Sequence, residues 1–108
     1  RAELLRLGPL VETHERFPER TNVQLVSVGG RHELAVGVWE RGAGETLSSG
    51  TSAVATAAAA VANAWCESPV TVHLAGGDLL VELVDGRARL TGPAEEICLV
   101  ELAEEFAL

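Results

Sequence analysis

Polar and apolar positions divide this chain into several segments of period two and one segment of another period. Val23 to Val28 and Glu33 to Trp39 read as two strands hinged at Gly29-Gly30, a predicted hairpin. Val36, Val38 and the alternation around them give that second strand one buried face. From Thr51 to about Asn63 the chain has strong helix formers and neither Gly nor Pro, with Ser49 or Thr51 placed to serve as N-cap. Ala53, Val54, Ala55, Ala57, Ala58, Ala59, Ala60, Val61 and Ala62 surround the axis of this helix, with Thr56 the one polar residue among them. A helix apolar all round is expected to be buried all round. In a small chain otherwise made of strands, that predicts a helix enclosed by a curved sheet, with alanine permitting close approach.

The alternation returns at Val70-Thr71-Val72-His73-Leu74, after Pro69. Gly76-Gly77 reads as a turn, Leu79 to Val84 as the return strand, and Asp85-Gly86 as a second hairpin turn into Ala88 to Thr91. Pro93 breaks the ladder, Ile97 to Leu102 is a predicted last strand, and the acidic end from Glu101 to Glu105 is expected in solvent. The fold class predicted is α+β, a strongly curved antiparallel sheet wrapped around one central buried helix. Residues 1–108 are expected to form a single domain with one modest core.

Composition narrows the partners. Eight basic against sixteen acidic residues give a formal charge of −8, which argues against nucleic acid and anionic membrane, both of which need a basic face. The Ala-rich run from Ala53 to Ala62 falls short of the about 20 residues that a membrane span requires. Cys66 and Cys98 have no metal-ligand spacing and are expected as buried, inert thiols in a reducing cytoplasm. His14, His32 and His73 are scattered, and structural or surface roles are expected of them; Trp39 and Trp65 are expected in core or rim packing. The chain begins with Arg and contains no Met, which suggests a piece of something longer.

Candidate chemistry concentrates in Glu40-Arg41-Gly42-Ala43-Gly44-Glu45-Thr46-Leu47-Ser48-Ser49-Gly50-Thr51. A strand runs into an acid and a base, then a Gly-spaced turn, then small hydroxyl residues that open a helix. Unpaired backbone N–H groups and the positive end of the helix dipole then meet at one spot, a place for an anion such as a carboxylate. Arg can fork onto a carboxylate and Glu can accept from an ammonium, so Glu40 and Arg41 together fit a zwitterionic amino-acid head. Read without a ligand, the same pair is an exposed strand-end ion pair and Gly50-Thr51 a plain helix start.

These residues resemble the signature of diaminopimelate epimerase, whose pattern is close to ERG-x-GET-x-ACGTGA. Leu7-Gly8-Pro9-Leu10, His14 and Phe17-Pro18-Glu19-Arg20-Thr21-Asn22-Val23 resemble the segment preceding that signature, while Gly76-Gly77-Asp78-Leu79 and Leu90-Thr91-Gly92-Pro93-Ala94 resemble the late strands. The likeness covers nearly the whole chain and corresponds to the C-terminal half of a pseudo-symmetric protein. It implies a bacterial isomerase of lysine and cell-wall precursor synthesis, converting LL- to meso-2,6-diaminopimelate with two thiols and no cofactor, neither pyridoxal phosphate nor metal. It further implies that Asn22, Glu40 and Arg41 hold the distal head of the substrate and that Gly50 and Thr51 hold the reacting carboxylate.

One position departs. Where the family carries its second catalytic cysteine this chain has Ser49, with Ser48 in place of Ala and Ser52 in place of Gly. A Cys thiol with pKa about 8.5 can be brought near neutrality at a helix terminus. An alkanol lies many units higher, and a dipole effect of roughly 0.3–1 kcal/mol does not close the gap. A serine installed to trap substrate, a natural degenerate or single-thiol member, and a deliberate redesign all fit. The isolated chain is expected to be inactive, its partner being either a missing N-terminal domain or a second copy in a homodimer. Two other functions fit the same residues: an amino-acid binder or dehydratase of the wider proline racemase-like superfamily, and a self-pairing structural half-domain.

Overall fold

The computed structural model of the chain describes residues 1–106. Two helices and six strands follow the order α1 (Ala2–Glu12), β1 (Val23–Gly30), β2 (Glu33–Glu40), β3 (Gly44–Thr46), α2 (Gly50–Ala62), β4 (Val70–Leu74), β5 (Gly77–Val84) and β6 (Arg87–Thr91). The strands form one sheet in the order β1-β2-β4-β5-β6, with β3 pairing β2 off this path. The α+β class and the mostly antiparallel sheet are as expected. Asp85 and Gly86 both lie at positive φ, 51° and 73°, the requirement of a tight hairpin turn of the primed type.

One pair is parallel. β2 and β4 run in the same direction, with Leu34 opposite Val72, and α2 is the crossover between them. This one parallel pair within the otherwise antiparallel sheet has a simple reason: parallel neighbours need a crossover of a dozen or more residues, usually helical, and α2 supplies it. β3 takes the other end of the same β2 edge, where Trp39 faces Glu45 and Glu40 faces Gly44.

Both faces of β2 are used. Leu34, Val36 and Val38 point one way and are buried with Val70, Val72, Leu74 and Val81 against Ala53, Ala57 and Ala60 of α2. The alternate positions meet α1: a Cβ added at Gly37 would stand 3.0 Å from Leu4, and one at Gly8 would stand 2.5 Å from the Trp39 ring. Gly8 therefore lies flat under the indole. In α1, Leu4, Leu7, Gly8 and Val11 share one face, although the Gly8-Pro9 pair hides the period in the sequence.

Two expectations are overturned. The helix is not buried all round: Ser52, Ala53, Thr56, Ala57 and Ala60 are buried, whereas Ala55, Ala58, Ala59 and Ala62 are exposed. The sheet does not close, so it covers one side, and exposed alanine costs little because each carries so small an apolar area. Thr56, the polar residue of the set, lies on the buried side with its Oγ1 unpartnered among the described residues. Nor do residues Ile97 to Leu102 form a strand. Ile97 is 93% exposed and Leu99 92%, because strand composition without a partner strand to pair makes no strand. A short 3₁₀ turn at Glu104–Phe106 follows. Cys66 is buried, whereas Cys98 is exposed and outside any strand, against the expectation of two buried thiols. Among the described residues no helix is long and apolar enough to cross a membrane.

Candidate functional site

Ser49 caps α2. Its backbone is extended at φ −155° and ψ 116°, and its Oγ accepts from the Ser52 N–H at 3.3 Å. The Ser49 carbonyl accepts from the Ala53 N–H at 3.0 Å, the first bond of the helix. Gly50 and Thr51 are the first two helical residues, and by position their N–H groups have no acceptor within the helix. The three positions singled out at the helix start are thus together. A Cβ at Gly50 would stand 2.8 Å from a terminal methyl of Leu90, so β6 lies close against this end of the helix. The approach to the helix is pinned as well: the Gly76 N–H in the β4–β5 turn donates to the Leu47 carbonyl at 2.7 Å.

The second cluster lies in the β2–β3 turn. Gly42 and Gly44 both sit at φ 78°, the left-handed region that glycine enters without strain, and the Ala43 N–H closes onto the Glu40 carbonyl at 3.1 Å. Asn22 Oδ1 accepts from the Arg41 N–H at 2.8 Å, so two of the three predicted head-group residues are directly joined. Arg41 Nη1 donates to the Glu19 carbonyl at 3.3 Å and the side chain is exposed. The Glu40 carboxylate accepts from Thr46 Oγ1 at 3.4 Å, pointing it along β3 towards the strand end that leads to α2. Glu40 and Arg41 form no ion pair with each other among the described residues.

Glu12 was not legible as part of this region. It is the last residue of α1 and 6% exposed. Its carboxylate accepts from Trp39 Nε1 at 2.7 Å, from the Gly42 N–H at 2.9 Å and from Arg20 Nη1 at 3.2 Å. The Trp39 bond first, then the Gly42 amide, hold its carboxyl below the usual carboxylate range. The Leu4, Leu7, Val11 spacing is the one signal in the sequence that points to the helix, and the Gly8-Pro9 pair inside it masks that signal and with it the burial of Glu12.

Of the three histidines, His73 has a defined electrostatic role. On the sheet face away from α2, its Nδ1 lies 2.8 Å from Asp78 and its Nε2 3.2 Å from Glu33. Both acceptors are carboxylates, so both ring nitrogens must donate, and the Asp78 bond, then the Glu33 bond, raise the pKa above its ordinary 6.5. The folded-state pKa is the higher one, so this stabilisation is complete below about 6.5 and is lost as pH rises through the raised value. His73→Gln should therefore lower the thermal midpoint at pH 6 and leave it nearly unchanged at pH 9; an equal loss at both values would contradict the ion-pair account.

The family model described as diaminopimelate epimerase matches residues 1–97 of the chain. The diaminopimelate epimerase of Bacillus licheniformis is 48% identical over 101 residues, covering 91% of this chain and 35% of that protein. That of Desulfitobacterium hafniense is 50% identical over 101 residues, covering 93% and 36%. That of Pelotomaculum thermopropionicum is 50% identical over 91 residues, covering 83% and 32%. The chain thus spans about a third of the length of the curated relatives it matches.

Proposed function

This chain belongs to the diaminopimelate epimerase family, and from that premise we propose that it supplies the C-terminal domain of a cofactor-independent amino-acid epimerase acting between LL- and meso-2,6-diaminopimelate. The observation that carries the proposal is the spatial order of one connected unit: the Glu40-Arg41-Gly42 turn, then β3, then the open N-terminus of α2 at Ser49, Gly50 and Thr51. The Arg41 guanidinium takes the distal carboxylate and Glu40 takes the distal ammonium, with Asn22 fixing the backbone between them. The Gly50 and Thr51 N–H groups take the carboxylate next to the reacting carbon, where the helix dipole also stabilises charge that develops as the α-proton leaves. Ser49 marks the position of the base for one face of that carbon, and a thiol from the remainder of the parent serves the other.

Ser49 sets the limit on activity. Its hydroxyl accepts from the Ser52 N–H, and a serine hydroxyl is too weak an acid to yield an alkoxide base there. Binding survives in this reading while inversion is slow, and the chain alone, lacking half the cleft, does not catalyse. That same cap bond favours one second reading, an amino-acid-binding or single-thiol member of the family.

The head-group assignment is testable apart from turnover. In the full-length protein, Glu40→Gln should weaken diaminopimelate binding by about tenfold or more, the scale of a hydrogen bond to a charged group. Binding of 2-aminopimelate, whose far end has no ammonium, should change little. Equal losses for the two ligands in calorimetry would remove Glu40 from the head-group site.

A further inference from the structure

We infer that Glu12 is a positioning residue for the head-group turn, holding the backbone of Glu40-Arg41-Gly42 in the shape that presents the Glu40 and Arg41 side chains. The inference rests on the diaminopimelate reading of that turn and adds what keeps the turn in place.

Glu12 lies at the end of α1, 27 positions from Trp39 in sequence and 30 from Gly42. Its two oxygens divide the work. One accepts from Trp39 Nε1, the residue just before the turn; the other accepts from the Gly42 N–H inside the turn and from Arg20. The residues between those two donors are Glu40 and Arg41. Asn22 takes the adjacent Arg41 N–H, so two consecutive amides of the turn are held by side chains from other segments. Arg20 itself sits at φ 61°, a conformation that a non-glycine residue adopts at some cost, and its guanidinium meets Glu12 from there. An ion pair with Arg20 alone would anchor α1 to its loop. The further bond to the Gly42 amide ties that anchor to the turn.

Glu12→Gln separates these roles. Glutamine has one acceptor oxygen for donors that stand at two, so its NH₂ must face either the indole N–H or the Gly42 N–H. Trp39→Phe removes the indole donor. In the double variant Glu12→Gln/Trp39→Phe, the single amide oxygen can turn to Gly42 without conflict.

Two readouts follow. Amide exchange of Gly42 in the chain should accelerate about tenfold in Glu12→Gln, the scale separating a charge-assisted from a neutral or broken hydrogen bond, and should slow again in the double variant. Diaminopimelate affinity of the full-length protein should fall about tenfold in Glu12→Gln and recover in the double variant, although the double variant has lost packing and is no more stable to heat than Glu12→Gln. Gly42 exchange unchanged by Glu12→Gln would overturn the inference, as would affinity that follows thermal stability rather than Gly42 exchange. If Gly42 responds as expected but the unsubstituted protein binds no diaminopimelate, the head-group reading has failed and the hold of Glu12 on the turn stands.

Discussion

Ser49→Cys in the full-length protein should raise the rate of diaminopimelate inversion by about 10²–10⁴-fold, the span that a well-placed general base contributes. Substrate affinity should change little, because the groups proposed to bind it, Gly50, Thr51, Asn22, Glu40 and Arg41, do not include the side chain at position 49. An effect confined to the rate is the mark of a group that acts mainly in the transition state. The position suits a thiolate: Ser49 caps α2, and a cysteine there would stand at the positive end of a 13-residue helix, the setting that lowers a thiol pKa. The cap bond to the Ser52 N–H would then be made by a sulfur anion in place of a hydroxyl. Inversion and α-proton exchange in heavy water, followed from both stereoisomers, measure it. A serine protein that turns over as fast as the cysteine variant would show that position 49 is not the base.

Leu34→Ala should destabilise the fold by about 2–5 kcal/mol, the range for emptying a fully buried leucine site. Leu34 is 0% exposed and sits where the crossover closes, on the strand that pairs β1 and β4 and packs beneath α2. Native domains are stable by roughly 5–15 kcal/mol, so this one change removes a large part of what holds α2 on the sheet. Ile97→Ala is the control. Ile97 is 93% exposed, and a change there should stay within about 0.5 kcal/mol. Urea midpoints of the two variants decide the matter, and equal midpoints would contradict the core described here.

Much of this fold was legible because β2 and β4 alternate so cleanly. Leu34, Val36 and Val38, then Val70, Val72 and Leu74, are all buried. Other elements left too weak a signal. β3 is three residues long, Gly-Glu-Thr, which is too short for a period to register. α1 was masked by Gly8-Pro9, although Gly8 is there because the Trp39 ring leaves no space for a Cβ. In α2, alanine on both sides erased the difference between the covered and the open face. Ile97 to Leu102 had the composition of a strand, but pairing is a property of the sheet and not of the segment.

The candidate site divides in the same way. Small hydroxyl residues before an Ala-rich run announced the start of α2, and Gly42 and Gly44 announced the turn. The use of Asn22 as an acceptor for the Arg41 amide needed the fold, since they stand 19 positions apart in sequence. Glu12 needed it still more. An acid at the end of an unrecognised helix gives no hint that it will be buried against an indole and a turn amide.

The central claim is that the open N-terminus of α2 holds a substrate carboxylate while the β2–β3 turn holds the far head of the same molecule. Nuclear magnetic resonance on the isotope-labelled full-length protein tests it most directly, with LL-diaminopimelate added to saturation and the Ser49 side chain left in place. The account predicts that the amides of Gly50 and Thr51 shift together with those of Arg41 and Gly42, while the exposed face of α2 at Ala58 and Ala59 stays still. Saturable binding that leaves Gly50 and Thr51 unmoved would contradict it.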